Sequence, residues 1–323
     1  MVPRERVLRI GGRRFLLKVE DSDASADYVK YEELRNEIWG FPDDSLPGAR
    51  NMMCENFLHE GSSLFLGVFA EDAGGVLAAD RAHMVGFSYG FVGLRDKERG
   101  FASPDNLWFY SQYTAVKPGF EGAGLGLRIK EFQRDILLGT FGVGQVVCTF
   151  DPLTAVNAHR NVHRLGMEVL EYRTATYGEY GGRLNRRDVP TDRFFMSWDL
   201  RADPVRPDAA AEAGRVRAGQ IVEVEERTVE GRTGRVTLET PAGLALDRTA
   251  ESAFIRVPAD FYRLLAETDV ADPAVRRIPV DWRMATRRAF LELFGRGYRV
   301  VDFLNEGGGA AGGPGYLLVR RAS

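Results

Sequence analysis

One stretch of the sequence could bind an anion, because a glycine-rich turn stands there between a predicted strand and a predicted helix. The strand is Leu107 to Val116, rich in aromatic and β-branched residues, and Pro118 with Gly119 ends it. The helix that follows has one apolar face, because apolar residues recur there at helical spacing, at Leu125, Ile129, Phe132 and Ile136. The turn itself reads Glu121-Gly122-Ala123-Gly124-Leu125-Gly126.

A glycine turn that opens a helix favours phosphate, because the first N–H groups of a helix lack intrahelical partners and the helix dipole is positive there. Glycine also lets a ligand approach the backbone without a Cβ in the way. Two phosphate-binding patterns do not fit: the Walker pattern needs GK[ST] where Leu127-Arg128 stands, and the Rossmann fingerprint lacks its third glycine. For so short a match, a plain turn into a buried helix is an equally open interpretation.

The stretch resembles the acyl-CoA motif of the GNAT acyltransferases, a strand ending in Val-x-Pro followed by [Q/R]-x-x-G-x-[G/A] at the start of a helix. The matching residues are Val116, Pro118, Gly124 and Gly126, whereas Glu121 stands where the family has Gln or Arg. The resemblance implies that backbone N–H groups bind the pyrophosphate of acetyl-CoA or another acyl-CoA. The implied cofactor-binding residues are Ala115, Val116, Glu121, Gly122, Ala123, Gly124, Leu125, Gly126 and Leu127.

A second segment, Thr149 to Gly166, resembles the fourth-helix motif of the same family, in which an asparagine contacts the pantetheine. Its pattern, TxDPL…NAHxN…LG, is more closely similar to a little-characterised GNAT branch, and so are the later Asn185-Arg186, Asp192-Arg193-Phe194 and Trp198. The resemblance covers roughly residues 10–200. It adds Asn157 and Asn161 to the implied cofactor-binding residues, and it implies N-acylation of a small amine such as an amino acid.

The second motif lacks the usual proton donor of the family. Many GNAT enzymes place a tyrosine four residues before the glycine that ends this helix, and that position here is Val162. The candidate catalytic residues are therefore Asp151, at the end of a predicted strand, and His159 or His163, one turn apart on the predicted helix. Capping of the next helix by Asp151 and surface positions for the histidines are the alternative interpretations.

Three further residues could contact an acceptor substrate. Period-two alternation predicts that Ser111 and Tyr113 point to the same side of their strand. Arg193 could pair with a carboxylate, because its planar fork matches that geometry. Ordinary strand packing for the first two residues, and an ion pair with Asp192 or Glu179 for Arg193, are equally open.

The reaction that fits these residues is direct transfer, in which an amine loses a proton, attacks the thioester carbonyl and expels a thiolate. We expect an acyl-CoA-dependent N-acyltransferase with a small-molecule amine as its acceptor. A non-catalytic acyl-CoA-binding protein of the same fold is the alternative, and a binder of nucleotide phosphates is a third interpretation. No nucleophilic cysteine is needed, and Cys148 lies in a buried strand pattern.

Composition argues against several other classes of protein. The chain has 323 residues, a net charge of −3 and 44% hydrophobic residues, so it can bury a sizeable core and offers no bulk attraction for nucleic acid or an anionic membrane. No apolar run is long enough to predict a transmembrane helix. The two cysteines and four histidines lack zinc-ligand spacing, so we expect no metal and a cytoplasmic location. The sequence leaves the oligomeric state open, with a homodimer as one option.

The order of predicted elements indicates the fold class and the domains. Up to residue 201 it is β-α-α-β-β-β-α-β-α-β-β, the order of the GNAT fold, which implies an α/β (α+β) protein whose mixed sheet is flanked by helices. In that fold the strands Leu107–Val116 and Gln145–Phe150 splay apart. We predict an acyltransferase domain over 1–201, a linker rich in Asp, Pro, Ala and Gly over 202–219, and a smaller α+β domain over 220–323. That last domain is either a degenerate GNAT-like half or an unrelated module.

Overall fold

The structure is a computed structural model that describes residues 3–22, 24–40, 63–179, 181–204, 219–247, 251–305 and 312–320. A helix that the sequence predicts over 49–58 lies outside these residues, as do Cys54 and most of the predicted linker. Contacts between residues group the chain into two units. The first consists of Met1–Cys148 and Asp199–Ala202, and the second of Thr149–Trp198 and Asp203–Ser323.

The first unit holds six neighbouring strands of a sheet, in the order β1-β2-β3-β4-β5-β6. Every neighbouring pair is antiparallel except β5 and β6, which are parallel. All but β1 are predicted from the sequence, and β1 carries no strong apolar signal because none of its residues is buried. The strands are β1 Glu5–Ile10, β2 Arg13–Val19, β3 Ser63–Ala70, β4 Met84–Leu94, β5 Leu107–Val116 and β6 Gln145–Phe150.

Two helices lie on opposite faces of these strands. On one face, Tyr31 packs its ring against Phe87 of β4; on the other, Gln133 donates to Ser88, the next residue of β4, and successive side chains of a strand point to opposite faces. The first helix is Val29–Trp39, after a 3-10 turn over Ser25–Tyr28. The second, the loop helix, is Leu125–Ile136 with a π turn over Leu137–Phe141. A short 3-10 turn, Pro104–Asn106, precedes β5.

The apolar face that the sequence predicts for the loop helix is the buried one. Its residues Leu125, Ile129, Phe132 and Ile136 are at most 2% exposed. Burying such side chains contributes about 1.5–3 kcal/mol each, so this face anchors the helix to the sheet. The N-terminus of the loop helix is thereby held at the end of β5, where the glycine turn lies.

The second unit combines the antiparallel pair β7–β8, the hairpin β9–β10 and an antiparallel sheet in the order β11-β13-β12. The strands are β7 Glu168–Arg173, β8 Arg193–Asp199, β9 Val222–Gly231, β10 Gly234–Leu244, β11 Ser252–Arg256, β12 Tyr298–Leu304 and β13 Gly315–Arg320. The helices are Ala155–Ala158 with a π turn over His159–Arg164, then Phe261–Glu267, Pro273–Arg276 and Ile278–Gly295.

Aromatic rings fill the core of the second unit. Phe194 of β8 packs on Phe290 of the long helix Ile278–Gly295, with ring centroids 4.8 Å apart, and Phe290 packs on Tyr316 of β13 at 5.3 Å. All three side chains are fully buried. Residues from before position 202 and after position 219 therefore share one core.

This grouping of contacts differs from the boundary that the sequence predicts. The division into a 1–201 domain and a 220–323 domain stays a prediction. So does the question whether the second of these is a degenerate GNAT-like half. The predicted fold class is confirmed: the chain is α+β, with a mixed, mostly antiparallel sheet flanked by helices. No helix in the described part of the chain has both the length and the apolar character needed to cross a membrane.

Candidate functional site

The glycine loop, residues 117–124 between β5 and the loop helix, depends on its glycines for its path. Gly119, Gly122 and Gly124 have φ angles of 88°, 78° and 77°, a region that a residue with a Cβ occupies at a cost. A Cβ built on any of the three would meet nothing within 4 Å. The backbone therefore needs glycine for its conformation, and the space beside it is open to a ligand.

The loop helix starts directly after these glycines, with Gly124 as its N-cap residue. Gly124 has no side chain that could accept from the first turn. The N–H groups of Leu127 and Arg128 donate back to the Gly124 carbonyl, at 3.1 and 3.3 Å. The N–H groups ahead of them are those that a helix start offers to an anion, and they lie within the predicted pyrophosphate-binding segment, Glu121 to Leu127.

The two strands predicted to splay pair over a short distance. Among the described residues, β5 and β6 pair only at Phe109–Val146 and Tyr110–Val147, although β5 runs on to Val116. The N–H of Lys117 donates to the Val85 carbonyl of β4 at 2.7 Å. Because successive N–H groups of a strand point to opposite edges, the Val116 N–H points to the edge that β6 leaves open. The predicted splay is present and contains a backbone donor.

A β-bulge in β5 decides which side chains share a face. The register with β4 skips Gln112, which is the extra residue of a bulge. Ser111 accepts a hydrogen bond from Lys130 of the loop helix at 2.6 Å. Tyr113 instead packs on Trp39, on the helix of the opposite face, with ring centroids 5.2 Å apart. The prediction that Ser111 and Tyr113 point the same way is therefore wrong, because the bulge interrupts the alternation.

Ser111 belongs to a buried polar network beneath the loop helix. Lys130 Nζ also donates to Gln133 Oε1 at 3.2 Å, and Gln133 Nε2 donates to Ser88 Oγ at 3.0 Å. All four side chains are buried. Ordinary packing accounts for these contacts, whereas Tyr113 is only half-buried. Contact of Ser111 or Tyr113 with a substrate stays a prediction.

The second motif lies in the second unit, on a helix that starts at Ala155 and continues as a π turn. Such turns are frequent at functional sites. Asn157 Nδ2 donates to Thr154 Oγ1 at 3.2 Å, and Asn161 is buried, with its Oδ1 accepting from Arg160 Nε at 3.1 Å. Cofactor binding by Asn157 and Asn161 stays a prediction, and Asn157 is the more accessible of the two. Val162, at the usual tyrosine position, is buried.

Both carboxylate oxygens of the buried Asp151 are engaged within the second unit. Oδ1 accepts from the Leu153 N–H at 2.9 Å, and Oδ2 accepts from Arg193 at 3.3 Å and from Arg283 at 2.5 Å. Burial alone would lower the pKa of Arg283, but the charge of Asp151 outweighs burial and raises it. A catalytic role for Asp151 and a substrate role for Arg193 stay predictions; their contacts are those of a turn and of a buried ion pair.

The two candidate histidines lie side by side on the π turn. The rings of His159 and His163 stack, with centroids 4.7 Å apart and planes 18° from parallel. His163 Nδ1 lies 3.0 Å from Asp302 Oδ1, and Asp302 is buried in β12. Burial, followed by repulsion from His163 and Arg164, lowers the pKa of His159 below its ordinary value. A catalytic role for either histidine stays a prediction.

Arg283 and Asp302, which contact the candidate residues Asp151 and His163, are not predicted from the sequence. Asp302 interrupts the apolar strand sequence YRVVDFL, and a charge at such a position needs a buried partner; that signal could have pointed to it. Arg283 offers only the weaker signal of a charged residue beside Trp282 on a helix. No group of three or more potential metal-ligating side chains occurs within the described ranges.

No protein-family model and no curated protein matches the sequence. Solved structures are similar to it, and the following three are among them. The ribosomal-protein-S5-alanine acetyltransferase of Vibrio fischeri has 10% identity and a TM-score of 0.41, covering 59% of this chain and 96% of its own. YncA of Salmonella typhimurium, with its cofactor acetyl-CoA, has 18% identity and a TM-score of 0.39, covering 60% of this chain and 98% of its own. The ribosomal-protein-S18-alanine N-acetyltransferase of Escherichia coli has 14% identity and a TM-score of 0.38, covering 59% of this chain and 99% of its own.

These likenesses are weak in both identity and score.

Proposed function

We propose that this chain is an N-acyltransferase that transfers the acyl group of acetyl-CoA or another short acyl-CoA to the amine of a small molecule. The observation that carries the proposal is the succession of β5, the glycine loop and the loop helix in the first unit. There, Gly122 and Gly124 have positive φ with open space beside them, and the loop helix begins at Gly124, where the first N–H groups of a helix lack intrahelical partners. A plain turn into a helix needs neither the splay of β5 from β6 nor that space.

The open edge of β5 supplies a backbone hydrogen-bond donor for the thioester carbonyl. The Val116 N–H can donate to the oxygen of the thioester carbonyl as negative charge develops on it, which stabilises the transition state. The pyrophosphate, bound by the loop, and the pantetheine, bound along the open edge, would hold the carbonyl at that donor. The amine then attacks directly, and no covalent acyl-enzyme is needed.

Titration calorimetry with acetyl-CoA and with CoA tests the cofactor part of this proposal. Gly124→Asp places a side chain and a negative charge where the pyrophosphate would lie, and we expect CoA affinity to fall at least tenfold, or about 1.4 kcal/mol. Gly75→Asp is the matched control, because Gly75 has nearly the same φ, 78° against 77°, and an equally open surrounding. Full CoA affinity in a folded Gly124→Asp protein would contradict the proposed site.

We propose further that the acceptor carries a carboxylate, as an amino acid does. The support is a loop between β7 and β8 whose arginines divide into two kinds. Arg186 and Arg193 are buried among internal partners, whereas Arg187 is exposed. An exposed guanidinium can bind a carboxylate with two parallel hydrogen bonds.

Steady-state kinetics with amino acids and with simple alkylamines test the acceptor class. Arg187→Gln should raise the KM for the amino acid more than the KM for acyl-CoA. Arg99→Gln, another exposed arginine, is the control and should change neither. Equal turnover of alkylamines and amino acids, unaffected by Arg187→Gln, would contradict a carboxylate-bearing acceptor.

A non-catalytic acyl-CoA-binding protein is the second candidate function. One observation favours it: the usual tyrosine position is the buried Val162, which offers no proton. Calorimetry combined with turnover separates the two functions. Acyl-CoA binding without formation of free thiol across a panel of amines would favour the binding protein.

A further inference from the structure

The turn between β1 and β2 lies at the same end of the sheet as the glycine loop. Phe15 at the start of β2 pairs with Ala70 at the end of β3, and Gly86 near the start of β4 pairs with Val116 at the end of β5. Because these neighbouring strands are antiparallel, the β1–β2 turn, the β3–β4 loop of residues 71–83 and the glycine loop share that end. All three belong to the first unit.

One side chain beside this turn contacts the glycine loop. The guanidinium carbon of Arg13, the first residue of β2, lies 5.1 Å from the centroid of the Phe120 ring. Phe120 also packs edge-on against the buried Phe15, with ring centroids 6.3 Å apart, and its N–H donates to the Lys117 carbonyl at 3.0 Å. A cation over an aromatic ring is attracted by the ring quadrupole. The charge of Arg13 is therefore held beside the loop.

Arg13 differs from the neighbouring cations in its charge balance. Lys117 Nζ lies 3.1 Å from Glu37 Oε1, and Arg128 Nη1, in the first turn of the loop helix, lies 2.7 Å from Glu131 Oε2. The rest of the glycine loop contains no lysine or arginine. Among the residues that the structure describes, no carboxylate pairs with the exposed Arg13. An anionic ligand can therefore bind Arg13 without breaking an ion pair of the protein.

Arg13 also lines an open recess of about 430 Å³. That volume lies within the range of small-molecule sites, about 300–1,000 Å³. Since Arg13 contacts Phe120 as well, it links the recess to the glycine loop. The other residues that line the recess are Gly11, Gly12, Glu71, Asp72 and Ala73.

The two carboxylates of the recess have partners of their own. Glu71 accepts from the Arg14 N–H at 2.9 Å and from its Nε at 2.5 Å. Asp72 Oδ1 accepts from two N–H groups of its own loop, each at 2.9 Å. The Asp72 side chain is nevertheless 48% exposed, so its other oxygen can accept from a hydroxyl or amino group of a ligand. The recess thus offers a cation for an anionic group and an acceptor for a polar one.

We propose that Arg13 binds the 3′-phosphate on the ribose of CoA, and that the recess holds the adenosine end of the cofactor. This inference rests on the proposed N-acyltransferase function and adds to it a binding site outside the glycine loop. In CoA, only the ribose separates that phosphate from the pyrophosphate, which the loop would bind. An arginine fork donates two parallel hydrogen bonds to a phosphate, so Arg13 would select CoA over acyl donors that lack the 3′-phosphate.

Titration calorimetry of the full-length protein with CoA and with 3′-dephospho-CoA tests the proposal. Hydrogen bonds to charged groups are worth about 1.5–3 kcal/mol, so the wild-type protein should bind CoA at least about tenfold more tightly than 3′-dephospho-CoA. In Arg13→Gln the CoA affinity should fall to that of 3′-dephospho-CoA, whose own affinity should stay unchanged. Arg13→Lys keeps the charge but loses the fork, so it should retain part of the preference.

Arg4→Gln is the matched control. Arg4 has a 59% exposed side chain and lies at the opposite end of the same strand pair, where its carbonyl accepts from the Val19 N–H. This substitution should leave the affinity for each ligand within about twofold of wild type, because surface ion pairs contribute little. Since Arg13 and Arg4 are both exposed, we expect each variant to stay folded, with an unchanged thermal unfolding midpoint.

Three outcomes would overturn the inference. The first is equal affinity of the wild-type protein for CoA and 3′-dephospho-CoA. The second is a preference for CoA that persists in Arg13→Gln. The third is an equal loss of affinity for both ligands in Arg13→Gln, which would show that Arg13 only supports the loop through Phe120. In each case a ligand still binds, so the proposed function stands. A wild-type protein that binds neither ligand would instead overturn the proposed function, and the role of Arg13 with it.

Discussion

The carboxylate of Asp192 should be one of the costliest side chains to alter in the second unit. Asp192 is fully buried, and Arg287 binds it with two hydrogen bonds of 2.7 Å. Tyr172 Oη and the Ala175 N–H donate to it as well, at 2.6 and 2.9 Å. Asp192→Asn keeps the shape but removes the charge that Arg287 is paired with. Breaking a buried pair costs about 3–5 kcal/mol, and because Arg287 is 21% exposed, we expect a loss near 3 kcal/mol.

The pH dependence of this loss follows from the pKa of Asp192. Burial acts to raise that pKa, but hydrogen bonds from Arg287 and Tyr172 outweigh burial and lower it below its ordinary value of 3.8. A carboxyl whose pKa is lower in the folded state stabilises the fold at pH values above its unfolded pKa, and this stabilisation is lost as pH falls through the folded pKa. The difference between wild type and Asp192→Asn should therefore be complete at pH 7 and shrink below about pH 4.

Urea unfolding measures the loss of stability in Asp192→Asn, and hydrogen exchange shows which elements lose protection. The unfolding midpoint should fall with little change in slope, and protection should decrease in Ile278–Gly295, while β3 of the first unit keeps its protection. Asp188→Asn is the matched control, because Asp188 also pairs with two arginines, at 2.6 and 3.0 Å, but is 38% exposed. It should cost about 1 kcal/mol or less. A loss below about 0.5 kcal/mol for Asp192→Asn would refute the reasoning.

Three further predictions concern stability and are checked by equilibrium unfolding. Phe132→Ala should cost about 3–5 kcal/mol, because the ring is fully buried, whereas Phe101→Ala, at a side chain 81% exposed, should change stability by less than about 0.5 kcal/mol; equal effects would contradict the assigned core. Gly90→Ala should cost about 1–3 kcal/mol, since its Cβ would lie 2.4 Å from Phe109 and from a backbone oxygen, and Gly93→Ala, whose nearest atom is at 3.4 Å, should cost less. Asp260→Ala should cost about 1 kcal/mol, because its carboxylate caps a helix at 2.9 Å; an unchanged midpoint would show that the cap is dispensable.

Local patterns in the sequence predict the first unit well. The bounds of β5 and β6 are those predicted, and the apolar face of the loop helix is buried as its spacing indicates. The glycine loop could be recognised because positive φ restricts residue choice so strongly. These features depend on neighbouring residues, which a sequence displays directly.

The sequence fails where one residue changes the register. Alternation along β5 predicts one face for Ser111 and Tyr113, but the bulge at Gln112 separates them. Nothing in the residue type of Gln112 marks a bulge, because its cause lies in the pairing with β4. The bulge before Asp302 is hidden in the same way.

Long-range ion pairs are the other part that the sequence conceals. The sequence offers Arg193 a substrate carboxylate, or an ion pair with Asp192 or Glu179, and the structure shows an ion pair with Asp151 that the sequence does not predict. Arg283, which binds the same carboxylate, is 132 positions from it along the chain. A charge pattern cannot choose among so many distant partners, since packing brings them together only in the folded chain.

The sharing of one core by segments far apart in sequence has a consequence for synthesis on the ribosome. The π turn and the strand end before it are supported by residues that are made much later: Asp302 for His163, and Tyr316, which donates to the Pro152 carbonyl at 2.8 Å. At about 5–20 residues per second, the earlier segment waits on the order of ten seconds for these partners. During that interval its apolar side chains lack their native neighbours, so nascent chains stalled before Tyr316 should be the species that chaperones bind and proteases cut.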